Sequence, residues 1–122
     1  MPEISLPTRK FIKELNAGIT SFVLLHIVDS SEEPLYGYQI AKRFNIDSAD
    51  TLSMKQSGLY PVLRSLEKND LLQSSVEPSV SGPPRRYYSI TETGKHTLGE
   101  WKTIWNRLKD SVDTIMEGEI NG

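Results

Sequence analysis

The chain has 122 residues, with 14 Lys and Arg against 16 Asp and Glu, and a formal net charge of −2. Its 37% hydrophobic and 25% charged residues fit one ordinary globular domain, which at this size buries roughly two-thirds of its unfolded surface. The absence of cysteine excludes disulfides, thiolate zinc sites, iron–sulfur clusters and a cysteine nucleophile.

The charge is unevenly placed. Residues 1–39 carry Arg9, Lys10 and Lys13 against five acids, net −2. Residues 40–95 carry Lys42, Arg43, Lys55, Arg64, Lys68, Arg85, Arg86 and Lys95 against six, net +2. Residues 96–122 return to −2. A nucleic-acid partner normally shows as excess Lys and Arg, so the middle alone has that footprint. Met1–Arg9, with Pro2, Glu3 and Pro7, lacks the apolar core of a signal peptide. The longest apolar stretch, Ile19–Val28, is interrupted by Thr20, Ser21 and His26 and falls short of the about 20 residues that span a bilayer. A cytoplasmic location without membrane contact is the expectation.

Helical spacing of Ile12, Leu15, Ile19, Phe22, Val23 and Ile27 predicts a first helix from Lys10 to about Asp29. Its second half is apolar on nearly every side, which implies burial against several partners. Ser30–Pro34 is a break, and Tyr36 to about Asn45 is a short second helix with Ile40, Ala41 and Phe44 on one face. Residues 46–54 read as a polar connection. A third helix opens at Gln56–Pro61 and runs to about Lys68, with Pro61 placed near its beginning. Leu59, Val62, Leu63 and Leu66 form its apolar stripe, opposite Ser57, Tyr60, Pro61, Arg64 and Lys68.

Leu71–Val76 and Arg86–Ile90 read as strands around the Pro78–Pro84 loop. Thr91 is placed to cap a last helix reaching about Glu117, with Glu92 complementing its dipole. The predicted class is therefore α+β, mostly helical. Residues 1–91 are expected to form one domain and residues 92–122 a long C-terminal helix.

Catalysis has no positive signal. His26 and His96 stand apart without a metal-pair spacing, and His26 reads as a structural histidine within the apolar stretch. Gly82 precedes two prolines, which cannot donate backbone N–H groups to phosphate. Neither a metal nor a cofactor is expected.

Nucleic-acid binding has a signal. A short helix, a turn and a second helix with a polar-basic face match helix-turn-helix geometry, in which the second helix enters the major groove. Lys55, Gln56 and Ser57 gather at the N-terminus of that helix, and Arg64 and Lys68 lie four apart on the face that Ser57 and Tyr60 share. Arg85 and Arg86 follow the Gly/Pro loop, so a stiff hairpin would project two guanidiniums toward phosphate or the minor groove.

Three segments carry a resemblance over about residues 12–117: Leu35–Ile40, then Gly58–Leu63 with Leu66 and Glu67, then Ser81–Lys95. In order and spacing they resemble the PadR-type winged-helix transcriptional regulators, and the single helix after the wing resembles the short-tailed subgroup. The resemblance implies a winged helix-turn-helix dimer, usually a repressor, on pseudo-palindromic operator DNA. It implies a recognition helix at Ser57–Lys68 and a wing at Val76–Arg86, and a small aromatic or toxic compound as a common effector.

The last helix points independently to dimerisation. Leu98, Trp101, Trp105, Leu108, Val112 and Ile115 are spaced by 3, 4, 3, 4 and 3 residues, a coiled-coil seam that Ile104 and Met116 widen. By family likeness, Trp101 and Trp105 are also candidates for stacking a flat apolar ligand, against the plainer expectation that both rings fill a dimer core. The rival reading is a winged-helix module that binds protein; fold alone does not choose between the two.

Overall fold

The structure, a computed structural model, describes residues 4–47 and 56–118. Helix α1 spans Leu6–Ser30, starting four residues earlier than helical periodicity predicts. Ser5 explains the earlier start: its side chain accepts from the Thr8 amide, and Pro7 occupies the first turn, where a missing N–H costs nothing. The buried hydroxyl of Thr20 donates back to the Asn16 carbonyl at 2.7 Å, so the apolar half of α1 carries no unsatisfied hydroxyl. By length and composition α1 as a whole could cross a membrane, which its ten-residue apolar stretch alone did not suggest. Here that stretch supplies core: Leu24, Leu25, Ile27 and Val28 are buried.

A two-residue strand, β1 (Leu35–Tyr36), precedes helix α2 (Gly37–Asp47). The Tyr36 amide donates to Gln39 Oε1 at 3.1 Å, satisfying a donor at the start of α2. Ile40, Ala41 and Phe44 form the buried face of α2. Helix α3 covers Gln56–Lys68, with Pro61 inside it rather than at its first turn. Leu59, Leu63 and Leu66 are buried and Val62 packs beside them. The end of α3 folds back on itself, with the Leu71 amide donating to the Leu66 carbonyl and the Asp70 amide to the Glu67 carbonyl, both at 2.9 Å. Asp70 adopts the left-handed φ of 63° that this termination requires.

Strands β2 (Leu72–Glu77) and β3 (Arg85–Ile90) form the hairpin, and β3 lies between β2 and β1 in one antiparallel sheet. Ser74 and Leu35 both pair with Tyr88, and Ser75 and Tyr36 both pair with Tyr87. In the connecting loop, Gly82 takes a φ of 144°, a backbone conformation L side chains rarely adopt.

Helix α4 (Glu92–Gly118) starts at a cap made by Thr91. The Thr91 hydroxyl accepts from the Gly94 amide at 2.8 Å and donates to the Asp70 carbonyl at 2.6 Å, joining the end of α3 to the start of α4. Gly94 is buried so tightly that a Cβ would collide with the Leu71 carbonyl oxygen. Leu98 completes the core at 2% exposure. Beyond Trp101 the helix leaves that core, and Ile104, Leu108, Val112, Ile115 and Met116 are all exposed.

Candidate nucleic-acid interface

The amphipathic sequence of α3 sets its orientation: burying Leu59, Leu63 and Leu66 turns Tyr60, Pro61, Arg64 and Lys68 outward. Lys55 lies outside the described residues, and the side chains of Gln56 and Ser57 are likewise not described. The Tyr60 ring is seated over Gly37 at the start of α2. A Cβ at position 37 would meet Tyr60 Cε1 at 2.5 Å and its hydroxyl at 2.9 Å. The glycine between Tyr36 and Tyr38 therefore has a local reason: it leaves room for an aromatic ring of α3.

The hairpin arginines lie on opposite faces of the sheet, because successive strand residues alternate. Arg86 shares a face with buried Tyr88, toward α3; Arg85 shares the other with Tyr87. Sequence reasoning treated them as one projecting pair, and their surroundings differ. Arg86 Nη1 donates to Ser74 Oγ at 2.9 Å, and that hydroxyl donates to Glu67 Oε2 on α3 at 2.7 Å. The Arg85 guanidinium stacks 4.3 Å from the centroid of the Tyr36 ring. Tyr36 in turn meets Tyr87 edge-on at 5.4 Å and stacks on Tyr38 at 6.3 Å. This tyrosine cluster was not legible in sequence, because it requires β1 to pair with β3.

Tyr88 is buried on the β3 face that also carries Arg86. Burial pushes its phenol above the ordinary value; the Glu67 carboxylate adds to the rise, and Arg86 and Arg64 partly offset it.

A second surface lies between α1 and α4. Trp101 and Trp105 are half-buried, and Phe22 and Trp105 approach at 6.3 Å between ring centroids. With Leu15, Ile19 and Leu108 they line an open groove of about 560 Å³. Leu98, named from the heptad spacing as part of a dimer seam, is instead enclosed in its own chain's core. The N-terminal half of α1 adds exposed Leu6, Phe11 and Leu15; of these the helical spacing in the sequence marks only Leu15.

His26 is exposed rather than a buried structural histidine. It lies four residues beyond Phe22 on the outward stripe of α1, and the apolar faces at Leu24, Leu25, Ile27 and Val28 point elsewhere. His96 is exposed beside Glu100 at 3.8 Å. No cluster of three metal-ligating side chains occurs among the described residues.

Three helices, a three-stranded antiparallel sheet ending in a hairpin wing, and a long C-terminal helix define a winged helix-turn-helix protein. The family model of the transcriptional regulator PadR-like family matches residues 24–100. The chain belongs to this family of transcriptional regulators. An uncharacterized protein of Lysinibacillus sphaericus is 32% identical over 87 residues, covering 71% of this chain and 80% of that protein. The crystal structure of a PadR family transcriptional regulator from Eggerthella lenta DSM 2243 superposes with a TM-score of 0.77 at 30% identity, covering 90% of this chain and 92% of that one. Bacillus subtilis PadR, solved in complex with operator DNA, shares the fold with a TM-score of 0.61 at 23% identity, covering 68% of this chain and 46% of that one.

Proposed function

We propose that the protein is a cytoplasmic repressor that binds a pseudo-palindromic operator as a homodimer. The observation that carries this reading is the outward face of α3, bearing Tyr60, Arg64 and Lys68, to which Arg86 of the wing is linked through Ser74 and Glu67. Such a surface suits a duplex backbone, with the helix in the major groove and the wing reaching the next phosphates. Lys55, Arg64, Lys68, Arg85 and Arg86 supply phosphate charge in this reading, and Gln56, Ser57 and Tyr60 approach base edges. The operator complex of the Bacillus subtilis protein supports the assignment at the level of fold.

The apolar strip formed by Ile104, Leu108, Val112 and Ile115 on α4, with Leu6, Phe11 and Leu15 on α1, supports a second copy as its cover. Two-fold symmetry then sets the recognition helices about 34–36 Å apart, one turn of DNA. A second reading attaches to the groove at Trp101 and Trp105: its apolar walls and volume suit a flat aromatic effector. Tryptophan fluorescence against a panel of aromatic compounds tests it, and an unchanged spectrum across the panel removes it.

The test of the DNA assignment is selection of bound duplex from a random pool, followed by anisotropy across a salt series. The wild type is expected to bind the selected duplex with a steep salt slope. Replacing Arg85 and Arg86 together by Ala should weaken binding and lower the slope by about one per lost phosphate contact. Salt-independent or undetectable binding by the wild type would favour the protein-interaction module instead.

A further inference from the structure

Resting on the DNA-binding reading, we propose that Ser74 is a positioning residue whose hydroxyl fixes the Arg86 guanidinium beside α3 for a duplex phosphate. The geometry is a three-member chain across two elements. Glu67 near the end of α3 accepts the Ser74 proton at 2.7 Å, and Ser74 on β2 accepts from Arg86 on β3 at 2.9 Å. A serine hydroxyl has one proton to give and lone pairs to receive. With the proton committed to a carboxylate, the oxygen is turned toward the guanidinium.

The sheet register makes this arrangement reproducible. Ser74 pairs with Tyr88 and Val76 pairs with Arg86, so Ser74 and Arg86 are diagonal neighbours on the sheet face toward α3. Diagonal partners are within reach of long side chains. Ser74 is partly buried while Arg86 is exposed, so the anchor is the less mobile partner. A guanidinium has five N–H donors in a planar fork. Holding Nη1 on Ser74 leaves donors for a phosphate and removes much of the rotamer freedom that an arginine otherwise loses on binding.

The hydroxyl also sets the charge balance. Glu67 reaches Arg86 through Ser74, so its carboxylate orients the guanidinium without occupying the fork as a bidentate partner. Arg85 has no such role: it stacks on Tyr36 on the opposite sheet face. The two adjacent arginines are accordingly unequal, and Arg86 is the one whose contribution depends on Ser74.

The experiment measures anisotropy of labelled selected duplex with wild type, Ser74→Ala, Ser74→Thr, Arg86→Ala and the Ser74→Ala/Arg86→Ala double variant, each over a salt series. Circular-dichroism melting of each variant checks the fold. Ser74→Ala is expected to weaken binding by about five- to tenfold, the scale of one ordinary hydrogen bond, and to flatten the salt slope by about one. Ser74→Thr restores both through its hydroxyl. Within the Arg86→Ala background, Ser74→Ala changes affinity by less than about twofold, because coupled residues do not add. Wild-type affinity and slope in Ser74→Ala overturn the proposal, as do a full additive effect in the double variant or a Thr variant that behaves like Ala. If the wild type itself selects no duplex, the DNA-binding reading falls and this role falls with it; duplex binding with an indifferent Ser74 overturns the role alone.

Discussion

Gly94 and Gly99 lie five residues apart on α4 and are predicted to respond to alanine in opposite directions. A Cβ at Gly94 would collide with the backbone carbonyl oxygen of Leu71 and stand 2.7 Å from Ile90 Cγ1, whereas a Cβ at Gly99 meets nothing within 4 Å. The Leu71 carbonyl cannot retreat freely, because it accepts from the Thr91 amide at 3.1 Å, beside the Thr91 hydroxyl's bonds to the Asp70 carbonyl and the Gly94 amide. Overpacking of this kind costs about 1–3 kcal/mol, and loosening those bonds adds about 1 kcal/mol. The helix-propensity gain of alanine returns up to about 1 kcal/mol. Gly94→Ala is therefore expected to lose about 1–3 kcal/mol net, and the Tm to fall by roughly 4–12 °C at this chain length. Gly99→Ala, with the gain and no clash, should raise the Tm by a few degrees. Thermal denaturation followed by circular dichroism at 222 nm reads both. A Gly94→Ala protein that melts at or above the wild type refutes the argument, and so does a Gly99→Ala protein that melts well below it.

Four further outcomes follow from particular contacts. Tyr88 has a phenol pKa raised above 10.0, so the folded state holds its proton more tightly than the unfolded one. Its contribution is complete below pH 10.0 and is lost as pH climbs toward the raised value; Tyr88→Phe should show a shallower alkaline loss in urea melts, and parallel curves would contradict this. Asp70 adopts a strained left-handed φ of 63°, so Asp70→Gly should add about 0.5 kcal/mol of stability, read as a higher urea midpoint, and a lower midpoint would speak against a conformational cost there. Leu108→Glu places charge in the exposed α1–α4 strip and is expected to convert a dimer to monomers in sedimentation velocity with little change in circular dichroism; an unaltered dimer would move the interface elsewhere. Gly37→Ala should displace the Tyr60 ring and weaken duplex binding several-fold with a smaller effect on melting, whereas unchanged binding would deny Tyr60 a role at the DNA.

Much of the architecture was legible because it is written in local chemistry. The stripe Leu59, Leu63 and Leu66 repeats at helical spacing, so α3 and its outward face follow from sequence alone. Thr91 as a cap and the Pro/Gly-rich turn before β3 are equally local signals, and both are where they were expected. The first turn of α1 lies outside the helical spacing, which begins at Ile12; it rests instead on the Ser5 cap and on Pro7 in the first turn. β1 has only two residues, too few for a period, and exists because β3 supplies its partners.

Sequence by itself determined the order of the four helices and the two hairpin strands, the apolar core face of α2 and α3, and the family resemblance carried by three spaced motifs. The net-basic middle segment was likewise countable. Tertiary structure decided which charges work together. Arg85 and Arg86 are neighbours in the chain, yet strand alternation sends one to the Tyr36 ring and the other to Ser74 and Glu67. It also drew Leu98 into the core while leaving Leu108 and Ile115 of the same heptad seam exposed. The physical reason is the same in both cases. A periodic pattern fixes the face a residue occupies on its own element, but packing between elements distant in sequence fixes what that face meets.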